Sequence, residues 1–234
     1  MGRHQLLNKM NKDYCHISMV LDRSGSMSSV AKDTIGGFNN FINEQRKELG
    51  ACTVTLLQFD TVFDIVHDAV PVGFVPPLTM ETYQPRGYTA LYDAIGQAIN
   101  STGKFLKDKS DSERPNLVVF VILTDGCENS SREFTQEKVF EMIKHQQDVY
   151  KWKFVFIGAN QDAMAAGGAI GIRAGSSINY AANPVGSKAI YAAASGNIRM
   201  ARSKSACGQS VNCISVDWTD EQRKEQLDAG AKTS

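Results

Sequence analysis

The chain has 234 residues, 42% of them apolar and 21% charged, the proportions of a folded globular protein with one large core. Lys plus Arg equals Asp plus Glu at 25 each, so no net charge favours nucleic acid or an anionic membrane. No stretch approaches the ~20 apolar residues of a membrane span, and residues 1–10 lack the apolar centre of a secretory signal. Gly2 lacks the Ser or Thr that a myristoylation motif wants at position 6, which is Leu6. The odd set Cys15, Cys52, Cys127, Cys207 and Cys213 has no metal-site spacing. It reads as free thiols of a reducing compartment, which sets the expectation of a cytoplasmic protein.

In chain order, residues 15–21 form a short apolar run that reads as the first strand. Val30, Phe38, Phe41, Ile42 and Leu49 recur at helical spacing, which predicts an amphipathic helix over 28–49 despite Gly36-Gly37. Residues 53–59 and 62–70 are β-rich runs separated by Asp60-Thr61, a gap that allows only an antiparallel hairpin. Residues 71–87 carry four prolines and no helical period, and read as a long surface connection. Leu91, Ile95, Ala98 and Phe105 mark a helix starting near Thr89. Residues 117–123 are continuously apolar, as in a central parallel strand covered on both faces. Ser130 with Glu133 suggests a capping box before a helix carrying Val139, Ile143, Gln146 and Tyr150. A strand at 154–158, a short helix at 162–170 ended by Gly171, and an edge strand at 174–180 follow. Ile190, Ala194, Ile198 and Ala201 mark a last core helix. Beyond it the chain turns polar, with one short helix opened by Thr219 and Gln222.

Strand–helix alternation with one hairpin predicts an α/β fold: a doubly wound, mostly parallel open sheet with one antiparallel edge strand. The expected division is an extension at 1–13, a domain at 14–202 and a tail at 203–234. Ligands of such sheets bind beyond the carboxyl ends of the strands. Asp22 follows the first strand and Asp125 follows the run at 117–123, so both acids reach one crevice if those strands are neighbours.

The chemistry lies in three segments: Asp22-Arg23-Ser24-Gly25-Ser26, Gly87-Tyr88-Thr89-Ala90-Leu91 and Thr124-Asp125-Gly126. They offer carboxylates and hydroxyls but no thiol or imidazole. Hard oxygen donors suit Mg²⁺, with Mn²⁺ or Ca²⁺ as alternatives. Taken singly, each segment also reads as ordinary turn or cap chemistry: Asp and Ser cap helices, and Asp-Gly is a common turn. Taken in order and strand context, the three resemble the metal-ion-dependent adhesion site of von Willebrand factor A (vWA) domains, over residues 14–202. The resemblance implies a Rossmann-like vWA fold. It implies that Ser24, Ser26 and Thr89 hold the cation through their hydroxyls, while Asp22 and Asp125 act through water and orient those hydroxyls. It also implies a non-enzymatic module that captures an Asp or Glu of a protein partner. Intracellular bacterial and phage relatives work beside AAA+ ATPases or in stress and tellurium-resistance systems.

Arg23, Tyr88 and Glu128 stand on the same loops as candidate partner contacts, with Asn129 and Arg86 nearby. Two other functions compete: a metal-dependent hydrolase, in which two acids and a cation activate water, and a structural subunit whose metal stiffens three loops. Against the hydrolase, Ser24 replaces the second aspartate of a phosphoryl-transferring loop, and no Gly-x-Ser-x-Gly elbow or phosphate-binding loop is present. His4, His16, His67 and His145 sit in no triad context. Gly158-Ala159-Asn160 is too short for a dinucleotide motif.

Overall fold

The computed structural model describes residues 13–159 and 161–231. Residues 1–12 of the extension expected at 1–13, residues 232–234 of the expected tail and Asn160 of the Gly158-Ala159-Asn160 segment lie outside the described residues. Twelve regular elements follow one another: β1 (Cys15–Asp22), α1 (Ala31–Arg46), β2 (Cys52–Phe59), β3 (Phe63–Pro71), α2 (Leu91–Lys107), β4 (Leu117–Thr124), α3 (Gln136–Val149), β5 (Lys153–Gly158), α4 (Ala163–Ala169), β6 (Ser177–Asn179), α5 (Pro184–Ala206) and α6 (Asp220–Ala231). The sheet order is β3-β2-β1-β4-β5-β6, and β3 alone runs antiparallel, at one edge. The fold is the α/β arrangement expected from the sequence.

All eight residues of β1 and of β4 are buried. Side-chain alternation explains how both faces are filled. Ile17, Met19 and Leu21 face α1 and α5, where they meet Phe38, Phe41, Ile190 and Ile198. Val20, with Phe120 and Ile122 of β4, faces α2 and α3 and meets Ile95, Ile99, Val139 and Ile143. The glycine at position 37 is required by this packing. A Cβ there would stand 2.1 Å from Tyr191 Cδ2, so the bare backbone of α1 is what admits the fully buried ring from α5.

The structure corrects the sequence reading in three places. The 71–87 connection is not purely superficial: Val75, Leu78 and Tyr83 are buried in the core. Asn39 pins it, donating to Leu78 O at 2.9 Å and accepting from Leu78 N–H at 2.8 Å. The Ser130–Glu133 box does not form, and α3 is capped by Thr135, which accepts from Lys138 N–H. Asp93 preempts the box by taking the backbone N–H groups of Arg132, Glu133 and Phe134 at 2.8–2.9 Å. Finally, α5 runs past 202 to Ala206, and Ile214, Val216 and Trp218 return to the core behind it. The cap at α6 is the expected reciprocal pair, with Thr219 N–H to Gln222 Oε1 at 3.0 Å and Gln222 N–H to Thr219 Oγ1 at 3.2 Å. Among the described residues no helix is long and apolar enough to cross a membrane.

The element that positions the site is the reversal of strand order between β1 and β4. These strands pair in parallel from Cys15–Leu117 to Leu21–Leu123. The chain leaves β1 toward β2 on one side and enters β4 on the other. The opening that this leaves at the carboxyl ends is where open α/β sheets bind ligands.

Candidate metal centre at the carboxyl end of the sheet

Asp22 is the last residue of β1 and has no exposed surface. Its Oδ1 accepts the Ser24 N–H at 2.6 Å, which folds the loop back over the strand end. Its Oδ2 accepts the Thr124 hydroxyl of β4 at 2.6 Å, joining the two central strands. Tyr83, from the proline-rich connection, donates its hydroxyl to the Asp22 carbonyl at 2.5 Å.

The hydroxyls follow from this loop. Ser24 Oγ and Ser26 Oγ lie 3.1 Å apart, and Ser26 donates to Asp125 Oδ1 at 2.5 Å. A Cβ built on Gly126 would lie 3.3 Å from Thr89 Oγ1 and 3.6 Å from Ser26 Oγ. Hydroxyls from two separate loops therefore converge over one glycine that keeps the space between them clear. All five expected metal residues meet in this crevice.

Thr89 is held by Asn129, whose Oδ1 accepts the Thr89 N–H at 2.9 Å and whose N–H donates to Thr89 O at 3.0 Å. The first two loops are stitched through the β2–β3 turn. Gly25 N–H donates to Gly87 O at 3.2 Å, Arg86 N–H to Arg23 O at 2.8 Å, and Ala90 N–H to Asp60 O at 2.9 Å. The Asp60 carboxylate takes Arg23 Nε at 2.8 Å and Arg86 Nε at 2.9 Å.

Two of the expected partner contacts point inward. Arg23 is buried between Asp60 and Asp64, with its Nη2 2.5 Å from Asp64 Oδ2. Its charge serves the loop framework and does not face outward. Glu128 accepts from Ser130 N–H, Ser131 N–H, the Ser131 hydroxyl and Tyr92 N–H at 2.7–3.0 Å. A carboxylate so occupied caps the start of α2 and has its oxygens engaged by the protein's own donors. Tyr88 remains 68% exposed.

Burial pushes Asp22 up to about 6, against the opposing hydrogen bonds from Thr124 and Ser24, and the Asp125 charge adds to the rise. Burial raises Asp125 as well, partly offset by Ser26. Two acids whose burial opposes ionisation at one strand end are relieved by a nearby cation. The donors are two carboxylates and three hydroxyls, all hard oxygens. Among the described residues no three His, Cys, Asp or Glu are grouped around a metal-sized space. A set built largely on serine and threonine falls outside that pattern. The residues fit a hard divalent cation such as Mg²⁺ or Mn²⁺.

Thr124, Tyr83 and Asp60 are supports not foreseen from the sequence, and Asn129, expected beside the partner contacts, instead holds Thr89. Thr124 and Asn129 adjoin the Asp125 segment and could have been sought there. Tyr83 and Asp60 act from loops with no local signature.

No family model matches the chain, and no curated protein does. Among solved structures, the manganese-loaded TRAP protein of Plasmodium vivax is 13% identical, covering 65% of this chain and 59% of that one, with a TM-score of 0.46. Proximal thread matrix protein 1 of the mussel byssus is 12% identical, covering 86% of this chain and 46% of that one, with a TM-score of 0.49. The chain thus spans about half the length of these structures. The six-stranded mixed sheet, flanked by helices, fits a vWA-like, Rossmann-type arrangement on its own strand order.

Proposed function

We propose that this chain is a non-enzymatic protein-binding module of the vWA kind, which uses a divalent cation, Mg²⁺ by preference, to capture an Asp or Glu side chain of a protein partner. One observation supports the reading: Thr89 Oγ1 and Ser26 Oγ, from two loops, lie 3.3 Å and 3.6 Å from the Cβ position of Gly126, next to Asp125, which Ser26 bonds, and Thr124, which bonds Asp22.

Ser24, Ser26 and Thr89 would hold the cation through oxygen. By donating its proton to Asp125, Ser26 turns its lone pairs toward that space. Asp22, tied to Ser24 N–H and Thr124, fixes the loop and supplies charge from behind the hydroxyls. When bound, the cation supplies an electrophilic position whose charge is only partly met by neutral hydroxyls, which favours an anionic ligand from outside. Following the resemblance, the partner would belong to a cytoplasmic assembly, an AAA+ ATPase or a stress or tellurium-resistance complex.

Affinity capture with wild type, Asp22→Ala and Thr89→Ala, each in Mg²⁺ and in EDTA, tests the reading. Retention of a partner by metal-loaded wild type alone is the expected result. Retention indifferent to EDTA and to both substitutions contradicts it.

A further inference from the structure

Cys15 opens β1 and Cys52 opens β2, and the two are register partners on these parallel neighbours. Adjacent strands run ~4.8 Å apart, inside the Cα separation of about 4.4–6.8 Å that a disulfide spans. Both side chains belong to the same core, on the α1 and α5 side of the sheet. Both thiols are free. Cys15 is 3% exposed and Cys52 5%, yet each stands at the rim of the sheet. Cys15 N–H donates to the carbonyl of the exposed Ala51 at 2.9 Å, and Cys52 directly follows Ala51. A buried cation acts on the pair. Arg202 of α5 donates to Gln45 O at 2.8 Å, to Gln45 Oε1 at 3.0 Å and to the Leu49 and Gly50 carbonyls at 3.4 Å. All four acceptors are neutral. Burial raises Cys15, and the hydrogen bond between the thiols raises it further. The same bond lowers Cys52, and the Arg202 charge favours the thiolate of both.

We propose that Cys15 and Cys52 are a redox pair that hydrogen peroxide converts to a disulfide, closing the start of β1 onto the start of β2. Cys52 gives up its proton and its sulfur attacks one peroxide oxygen. The O–O bond breaks, and the departing hydroxide takes that proton and leaves as water, with a sulfenic acid on Cys52. The Cys15 sulfur then attacks the sulfenic sulfur and the S–S bond forms. The displaced hydroxyl leaves with the Cys15 proton as a second water. The two sulfurs are oxidised by two electrons in all, and the peroxide oxygens are reduced by the same two. In a reducing compartment the disulfide is transient, and a dithiol reverses it by exchange. The pair stands at the opposite end of β1 from Asp22 and is independent of the metal reading.

The test uses the full chain with Cys127→Ser, Cys207→Ser and Cys213→Ser, which removes the three exposed thiols. The protein is reduced, freed of reductant, treated with hydrogen peroxide while folded, then unfolded in iodoacetamide and weighed intact. The treated monomer is expected to lose two hydrogens and take up no iodoacetamide. Digestion should release a Cys15–Cys52 cross-linked peptide, and dithiothreitol should restore both alkylatable thiols. With Cys15→Ala added, the sulfenic acid of Cys52 should persist and be trapped by dimedone. Peptide mapping of peroxide-treated wild type reads the same cross-link without any substitution. The proposal is overturned if both thiols stay alkylatable after peroxide in protein whose circular dichroism is native. It is equally overturned if the S–S bond joins two chains, or if both cysteines oxidise to sulfinic acid with no bond between them.

Discussion

Ser26 donates its hydroxyl to Asp125 Oδ1 at 2.5 Å across 99 residues of sequence. The bond joins a loop leaving β1 to a loop leaving β4, and it exists because those strands are neighbours at the point where strand order reverses. The candidate centre is thus a product of sheet topology, and its integrity can be probed through residues that are not ligands.

Gly126→Ala is one such probe. The added methyl would stand 3.3 Å from Thr89 Oγ1 and 3.6 Å from Ser26 Oγ, against two of the hydroxyls proposed to hold the cation. Mn²⁺ affinity should fall at least about tenfold, as it does when groups around metal ligands are disturbed. Circular dichroism and thermal midpoint should change little. Unaltered Mn²⁺ affinity would mean that the space above Gly126 is not the metal position.

Asp60 acts through its neighbours. It binds Arg23 and Arg86, and its carbonyl receives Ala90 N–H, so it fixes the loop that carries Thr89. Asp60→Asn should weaken metal binding about tenfold or more and lower stability by about 2 kcal/mol, since the buried Arg23 loses a charged acceptor. Isothermal titration with Mn²⁺ beside urea unfolding separates the two effects. Lost stability with full metal affinity would confine Asp60 to a scaffold role.

The pH dependence has two opposing parts. Asp22 is raised from 3.8 to about 6 in the folded protein, so between those values the folded state holds a proton that the unfolded state has released. Its contribution to stability is present below about pH 4 and is lost as pH rises through about 6. His16, fully buried, is lowered from 6.5 to about 4 by desolvation. There the unfolded state takes the proton first, so stability is complete above 6.5 and declines as pH falls toward 4, by about 3 kcal/mol in total. A divalent cation held at this site would compete with the proton on Asp22. The rise in thermal midpoint from Mg²⁺ should therefore be larger at about pH 7.5 than at about pH 5. A Mg²⁺ effect of equal size at both pH values would detach the cation from Asp22.

Gly37→Ala tests the fold and not the site. The new methyl overlaps the Tyr191 ring, which has α1, α5 and the sheet around it and no room to retreat. A loss of about 2 kcal/mol is expected from this overpacking, although alanine is the better helix former. A stabilised variant would show that Tyr191 can move aside.

The sheet was legible in the sequence where burial on both faces writes a continuous apolar run, as at 117–123, and where the two-residue gap at Asp60-Thr61 forces a hairpin. The five candidate residues could be singled out because Asp22, Ser24 and Ser26 share one short run, Asp125 follows β4 and Thr89 precedes α2. The directions of Arg23 and Glu128 were not. Glu128 points inward because an amide 36 residues away, Tyr92 N–H, needs an acceptor, and Arg23 because Asp60 lies 37 residues along the chain. Tyr83 was hidden for a related reason. In a stretch without periodicity, one ring that fills a core gap leaves no pattern to read. The Ser130–Glu133 box failed because both of its N–H groups are taken by other acids, Glu133 N–H by Asp93 of α2 and Ser130 N–H by Glu128.

The most direct test of the central claim is a Mn²⁺ titration of wild type and Thr89→Ala, followed by electron paramagnetic resonance. Wild type should bind one Mn²⁺ per chain, displaced by excess Mg²⁺, with affinity reduced at least about tenfold in Thr89→Ala. No stoichiometric binding in wild type, or binding that Thr89→Ala leaves intact, would contradict it.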